Sequence, residues 1–211
     1  MSLARSSARR VVLARRVRLL VAATITYNVV EAVVALSAGA VANSTALVAL
    51  GLDSVIEVSS AAIVAWQFSA ADPEARERTA LRAITAPFVV LAVFVSVESM
   101  RALLGGSDAE HTTIGIILAA LSLAVMPGLS WAQRRTGREL GSAPAVADSK
   151  QTLLCTYLSA VLLAGLVVNS AIGWTWADPI AGLVIAAVAL KEARSAWRGD
   201  VCCTPSESGS P

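Results

Sequence analysis

The chain has 211 residues, of which 56% are hydrophobic and only 15% charged, with a formal net charge of +2; its mean hydropathy is +0.68. Soluble domains carry roughly 25% charged residues, so this composition excludes an ordinary water-soluble enzyme and describes an integral membrane protein. So small a net charge gives no case for nucleic-acid binding, and three cysteines make no disulfide framework.

Residues 1–16 form an Arg-rich start that contains Arg5, Arg9, Arg10, Arg15 and Arg16. It runs straight into an apolar stretch, which is not how a cleavable signal peptide is built. The first span is 19–39. Asn28 and Glu31 share one face of it, with Thr24 and Tyr27 four residues before them, and the pair reads either as interhelical glue or as the lining of a cation path. The second span, 46–68, holds Asp53 and Glu57 four residues apart and therefore on one helical face. An ionised carboxylate at bilayer depth costs at least ~2.5–3.5 kcal/mol, and two like charges together cost more. A bound cation, a proton or a basic partner must compensate them.

Arg76, Arg78 and Arg82 lead into the third span, 83–104, where Glu98 stands at ion-pair spacing from Arg101. An acidic loop with Asp108, Glu110 and His111 precedes the fourth span, 113–132, which ends in Arg134, Arg135 and Arg138. The fifth span, 144–168, begins with Asp148 and Lys150 and carries Gln151 and Cys155 at another spacing of four. The sixth, 179–197, starts at Asp178-Pro179, an N-cap followed by Pro at the first helical position. Lys191, Arg194 and Arg198 close it, and the Pro/Ser/Gly-rich tail 198–211 is expected to be disordered, its Cys202–Cys203 pair reduced and idle.

Basic residues fall on alternate connections, and the loops 40–45 and 169–177 have none. The positive-inside rule then puts both termini in the cytoplasm and demands an even number of crossings, which six satisfies. The fold class is all-α: a six-transmembrane-helix bundle, expected in the plasma (cell inner) membrane. At 1.5 Å per residue Asp53 lies ~10 Å and Glu57 ~16 Å below the outer edge, while Gln151 and Cys155 lie ~10 and ~16 Å from the inner edge. In a ~30 Å core the four side chains interleave near the midplane. If the two helices are neighbours, two carboxylates, an amide oxygen and a thiol form a set suited to a divalent cation. Asp148, ~6 Å from the inner edge, suits a cytoplasmic entrance, with Lys150 available to neutralise it.

These motifs resemble the cation diffusion facilitator (cation efflux) family of six-span divalent-metal/proton antiporters. Ser44-Thr45-Ala46-Leu47 followed by Asp53 and Glu57 matches the pattern of the family's second span. Ala147-Asp148-Ser149-Lys150-Gln151 leading to Cys155 and Ser159 keeps the register of the fifth, with Gln151 and Cys155 where the family has His and Asp, and Asp178-Pro179-Ile180-Ala181-Gly182 matches the start of the sixth. The likeness covers roughly 17–197. It implies efflux of a divalent metal cation by alternating access with proton antiport, through a site of Asp53, Glu57, Gln151 and Cys155, with Asp148 in reserve and Asn28 and Glu31 on a possible pathway. Typical zinc transporters of the family supply His and Asp from both helices. Here neither helix supplies a His and the fifth span has Cys155 at the family's second carboxylate position; without His, the oxygen-rich set favours manganese, iron(II) or cobalt(II) over zinc. The family usually adds a soluble dimerising domain after the sixth span; with the chain ending at Pro211 none is expected. A homodimer or hetero-oligomer would then be held through membrane helices, with the lipid bilayer and protons as the other partners and no resident cofactor.

Two other readings compete. The chain could be a non-transporting membrane subunit or partner-binding protein that keeps the transporter fold, or it could move a proton-coupled small solute. No embedded nucleophile–base pair or His-rich cluster suggests an enzyme.

Overall fold

The computed structural model describes the backbone of residues 2–42, 45–104, 113–172 and 177–199, and the side chains of 9–41, 47–104, 113–164, 180 and 182–199. Six helices account for all of these residues except the turns: α1 (Ser2–Ala42), α2 (Thr45–Phe68), α3 (Pro73–Leu103), α4 (Thr113–Leu140), α5 (Ala143–Ile172) and α6 (Ala177–Arg198). Each expected span falls on its helix to within one residue. Within the described residues, α1, α2, α3 and α4 each contain a stretch long and apolar enough to cross a bilayer. His111, Cys202 and Cys203 lie outside the described residues.

The helices overrun the apolar spans at the Arg-rich end. The start of α1 continues the first span as one helix of 41 residues, about 60 Å at 1.5 Å per residue and twice the thickness of a hydrocarbon core. Ion pairs tether it, Arg9 to Glu139 at 3.4 Å and Arg10 to Glu74 at 2.8 Å. Local sequence explains the turns at this end. Asp72 caps α3 by accepting from the Glu74 and Ala75 amides, with Pro73 at the first helical position. Gly141 adopts φ 77° after α4, which lets the Ser142 amide reach back to the Gly137 carbonyl at 2.9 Å. The Ser142 hydroxyl and the Glu77 carboxylate then accept the Ala145 and Ala143 amides of α5.

The closest helix pairs are α1–α2, α3–α6 and α4–α5; α1 also packs on α4, and α2 on α5. Lipid tails are as apolar as Leu, so helices in a membrane associate through close packing and buried polar contacts. Small residues provide the approach. A Cβ on Gly51 would strike Leu36 of α1, and one on Gly182 would strike the Ser99 hydroxyl of α3. The side-chain distribution inverts that of a water-soluble domain. Val29, Val30 and Val33 of α1, Val89, Val90 and Val93 of α3 and Ile117 and Leu121 of α4 face outward. Thr24, Asn28, Glu31, Asp53, Glu57, Gln133, Asp148 and Gln151 are buried between α1, α2, α4 and α5.

Candidate metal centre

On α2, Asp53, Glu57 and Ser60 recur at i, i+4 and i+7, and on α5 Asp148, Thr152, Cys155 and Ser159 recur with the same period; all are buried. The two faces meet antiparallel. Ser60 donates to Asp148 Oδ1 at 2.7 Å, Thr152 faces Glu57, and Cys155 faces both Asp53 and Glu57. The helices are therefore neighbours, and their register agrees with the depth arithmetic to about two residues.

Three polar layers follow. In the middle one, Asp53 is 4% and Glu57 0% exposed. Asp53 Oδ2 and both Glu57 carboxylate oxygens have no hydrogen-bond partner, nor do Gln151 Oε1, Asn28 Oδ1 and Ser159 Oγ. Each such orphan costs about 1–3 kcal/mol, more where the group is charged, and folded proteins keep few of them. A pocket in which unpaired carboxylate and amide oxygens outnumber the donors is chemically set up for a cation or for protons. Among the described residues no three His, Cys, Asp or Glu side chains stand close enough to hold a metal in this conformation, so the set is not a closed coordination shell.

The layer toward the Arg-rich end is the reverse. Asp148 accepts from Ser60 on Oδ1 and from Gln133 Nε2 on Oδ2 at 3.3 Å. Gln133 also donates to Thr24 Oγ1 at 3.0 Å and accepts from Thr152 Oγ1 at 3.2 Å, so one amide ties α1, α4 and α5 together. Asp148 is 1% exposed, enclosed rather than open to solvent. The expectation that Lys150 neutralises it is corrected: Lys150 pairs with Glu192 of α6, because a two-residue offset points it away from the Asp148 face. In the third layer Glu31 accepts from Ser54 Oγ at 2.9 Å and from Ser122 Oγ, and Tyr27 shares a 3.1 Å hydrogen bond with Ser122. Asn28 Nδ2 returns to the Thr24 carbonyl at 3.0 Å. Glu31 thus joins α1, α2 and α4. Glu98, on α3, pairs with Arg101 at 3.3 Å and lies outside these layers.

Sequence reasoning missed Ser54, Ser60, Ser122, Gln133 and Thr152. Serine and threonine cost little in an apolar helix and draw no attention there. Gln133 sits against the arginines that mark the end of the fourth span. A signal did exist: Ala119, Ser122, Met126, Ser130, Gln133 and Gly137 recur every three or four residues and form the buried face of α4.

A family model described as the cation efflux transmembrane domain matches residues 82–199, which carry Asp148, Gln151 and Cys155 but not Asp53 and Glu57. A protein of Synechocystis sp. described as an uncharacterized transporter is 25% identical over 158 residues, 70% of this chain and 51% of its own length. Metal tolerance protein 2 of Oryza sativa subsp. japonica is 34% identical over 86 residues, 41% of this chain and 22% of its own. The chain spans about half, or less, of the length of these curated relatives.

Proposed function

The chain belongs to the cation efflux family, and from that premise we propose that it exports a divalent metal cation across its membrane in exchange for protons, through a midplane site between α2 and α5. The reading rests on one observation. The buried oxygens of Glu57, and Oδ2 of Asp53, lack donors, while the neighbouring Asp148 and Glu31 have hydroxyl or amide donors on both oxygens.

Charge explains why such a site would couple two ions. An ionised Asp53–Glu57 pair in the bilayer interior is expensive. A divalent cation neutralises it, and so do two protons; the empty ionised pair is the state that a low-dielectric interior disfavours most. Binding a cation expels protons, and protonation releases the cation, so loading with one or the other links the two fluxes. Asp53 and Glu57 supply the charge, Gln151 a neutral oxygen and Cys155 a thiolate when metal displaces its proton. Asn28 Oδ1 offers a further neutral oxygen from α1, and Asp148 and Glu31 line the approaches. Oxygen-rich ligation favours manganese, iron(II) or cobalt(II), with zinc the poorer fit. Both termini face the cytoplasm on this reading, in the plasma membrane, and the membrane helices hold any dimer.

Purified protein in sealed vesicles, with a panel of divalent cations outside and a pH-sensitive dye inside, tests this directly. Cation-dependent proton flux is expected, and Asp53→Asn with Glu57→Gln should abolish it. Wild-type flux in the double variant would remove the proposed site. The observation that, among the described residues, no three His, Cys, Asp or Glu side chains converge favours a second reading, a subunit that keeps the bundle and moves no cation. Protein that neither binds nor transports any cation of the panel would establish that alternative.

A further inference from the structure

The Arg-rich ends of three helices share a pattern that the transport site does not use. Trp66 near the end of α2, Trp131 on α4 and Trp197 at the end of α6 are all exposed. Each carries an arginine over its ring: Arg76 at 4.7 Å, Arg135 at 5.5 Å and Arg82 at 5.8 Å from the ring centroids. Exposed Trp at this depth belongs to the interfacial belt of a membrane protein, and the stacking holds each guanidinium at that level.

One of these pairs borders a groove of about 450 Å³ between α1 and α4. Its α1 wall is Arg16, Leu19 and Leu20, and its α4 wall is Trp131, Ala132, Arg135 and Thr136, with Glu139 at the end. The helices run in opposite directions, so on both walls the charged residues lie at the Arg-rich mouth and the apolar ones lie deeper. Arg16 has no carboxylate partner among the described residues. Glu139 is already met by Arg135 at 3.2 Å and Arg9 at 3.4 Å. The groove is thus cationic at headgroup level and apolar at acyl level.

The same grading recurs across α1, in a groove of about 310 Å³ shared with α2. There Arg18 and Ser69 stand at the mouth, with Val21, Ile25 and Val64 deeper, and Ser69 Oγ accepts from the Arg76 that stacks on Trp66.

We propose that the α1–α4 groove binds an anionic phospholipid, its phosphate held by Arg16 and Arg135 and one acyl chain laid along Leu19, Leu20 and Trp131. Arginine is suited to this role because its fork pairs with two phosphate oxygens. An occupant here would also brace the projecting start of α1 against α4, adding to the Arg9–Glu139 contact.

The test is native mass spectrometry of the full chain, released from mixed phosphatidylglycerol and phosphatidylcholine micelles, counting retained lipids. Wild type is expected to retain phosphatidylglycerol over phosphatidylcholine. Arg16→Ala and Arg135→Ala should each lower phosphatidylglycerol retention about fivefold, equivalent to about 1 kcal/mol per basic residue, with phosphatidylcholine unchanged. Glu139→Gln, which removes a competing anion and little volume, should raise it. Millimolar inorganic phosphate should not displace the lipid, because it lacks the acyl chain. Equal retention of both lipids, equal loss of both in the arginine variants, no rise in Glu139→Gln, or displacement by phosphate alone would each overturn the proposal.

Discussion

Glu57 and Asp148 are buried carboxylates on facing helices, about one helical turn apart, yet their surroundings differ completely. Asp148 receives a serine hydroxyl on one oxygen and a glutamine amide on the other. Neither oxygen of Glu57 has a donor within hydrogen-bonding distance, although the Thr152 hydroxyl and the Cys155 thiol face it. A satisfied buried carboxylate contributes to the scaffold that holds it, because removing it strands its donors. An unsatisfied one weakens the fold that holds it and leaves its lone pairs free for a cation or a proton. On the proposed reading the membrane interior is divided in this way, with a layer that binds the four helices together and a layer left open for cargo.

Substitutions should separate the two layers. The largest effect is expected from Asp53→Asn with Glu57→Gln: cation-driven proton flux at the level of protein-free vesicles, with a thermal midpoint in detergent at or above that of wild type, since two uncompensated carboxylates have been removed. A large loss of stability would instead mean that the pair has structural partners. Cation affinity in the intact protein should rise with pH, because the carboxylates bind metal only when deprotonated; in the double variant the same titration should be flat. Gln133→Ala should behave in the opposite manner. It strands Asp148 Oδ2, the Thr24 hydroxyl and Thr152, at a cost of about 2–3 kcal/mol in unfolding free energy, while flux falls severalfold and stays above background. Full flux with unchanged stability would show that the Asp148 layer carries nothing.

Smaller effects should follow at the edges of the comparison. Cys155→Ser removes the soft ligand, so competition assays should show cadmium losing about tenfold relative to manganese, with little change in stability. Lys150→Ala breaks a half-buried pair with Glu192 and should cost about 1 kcal/mol, with flux unchanged. A change in transport rate there would bring Lys150 back to the pathway from which its contact with α6 removes it.

Much of the site was legible before the fold. A carboxylate in an apolar helix is costly enough to stand out, so Asp53, Glu57, Asp148 and Glu31 were visible one by one, and the constant rise of a helix placed them in depth. The same arithmetic set α2 against α5 in nearly the observed register. What could not be read was which carboxylates have partners. Ser60 and Ser122 are remote from Asp148 and Glu31 in the chain, and the periodicity that puts Ser122 and Gln133 on the buried face of α4 does not say which of them donates to a carboxylate. Lys150 shows the converse. Proximity in sequence suggested Asp148, yet residues two apart diverge on a helix, and Glu192, 42 positions on, is its partner.

Composition, span length and basic-residue placement by themselves determined a helical membrane protein with acidic groups inside its apolar helices, because crossing a bilayer restricts both hydropathy and element length. Tertiary structure alone decided that α1, α2, α4 and α5 enclose those groups, that hydroxyls and one amide satisfy Asp148 and Glu31, and that the oxygens of Glu57 and Oδ2 of Asp53 are left without donors. Hydrogen bonds extend only ~3 Å, and whether a side chain has a partner within that reach depends on which helix faces pack together.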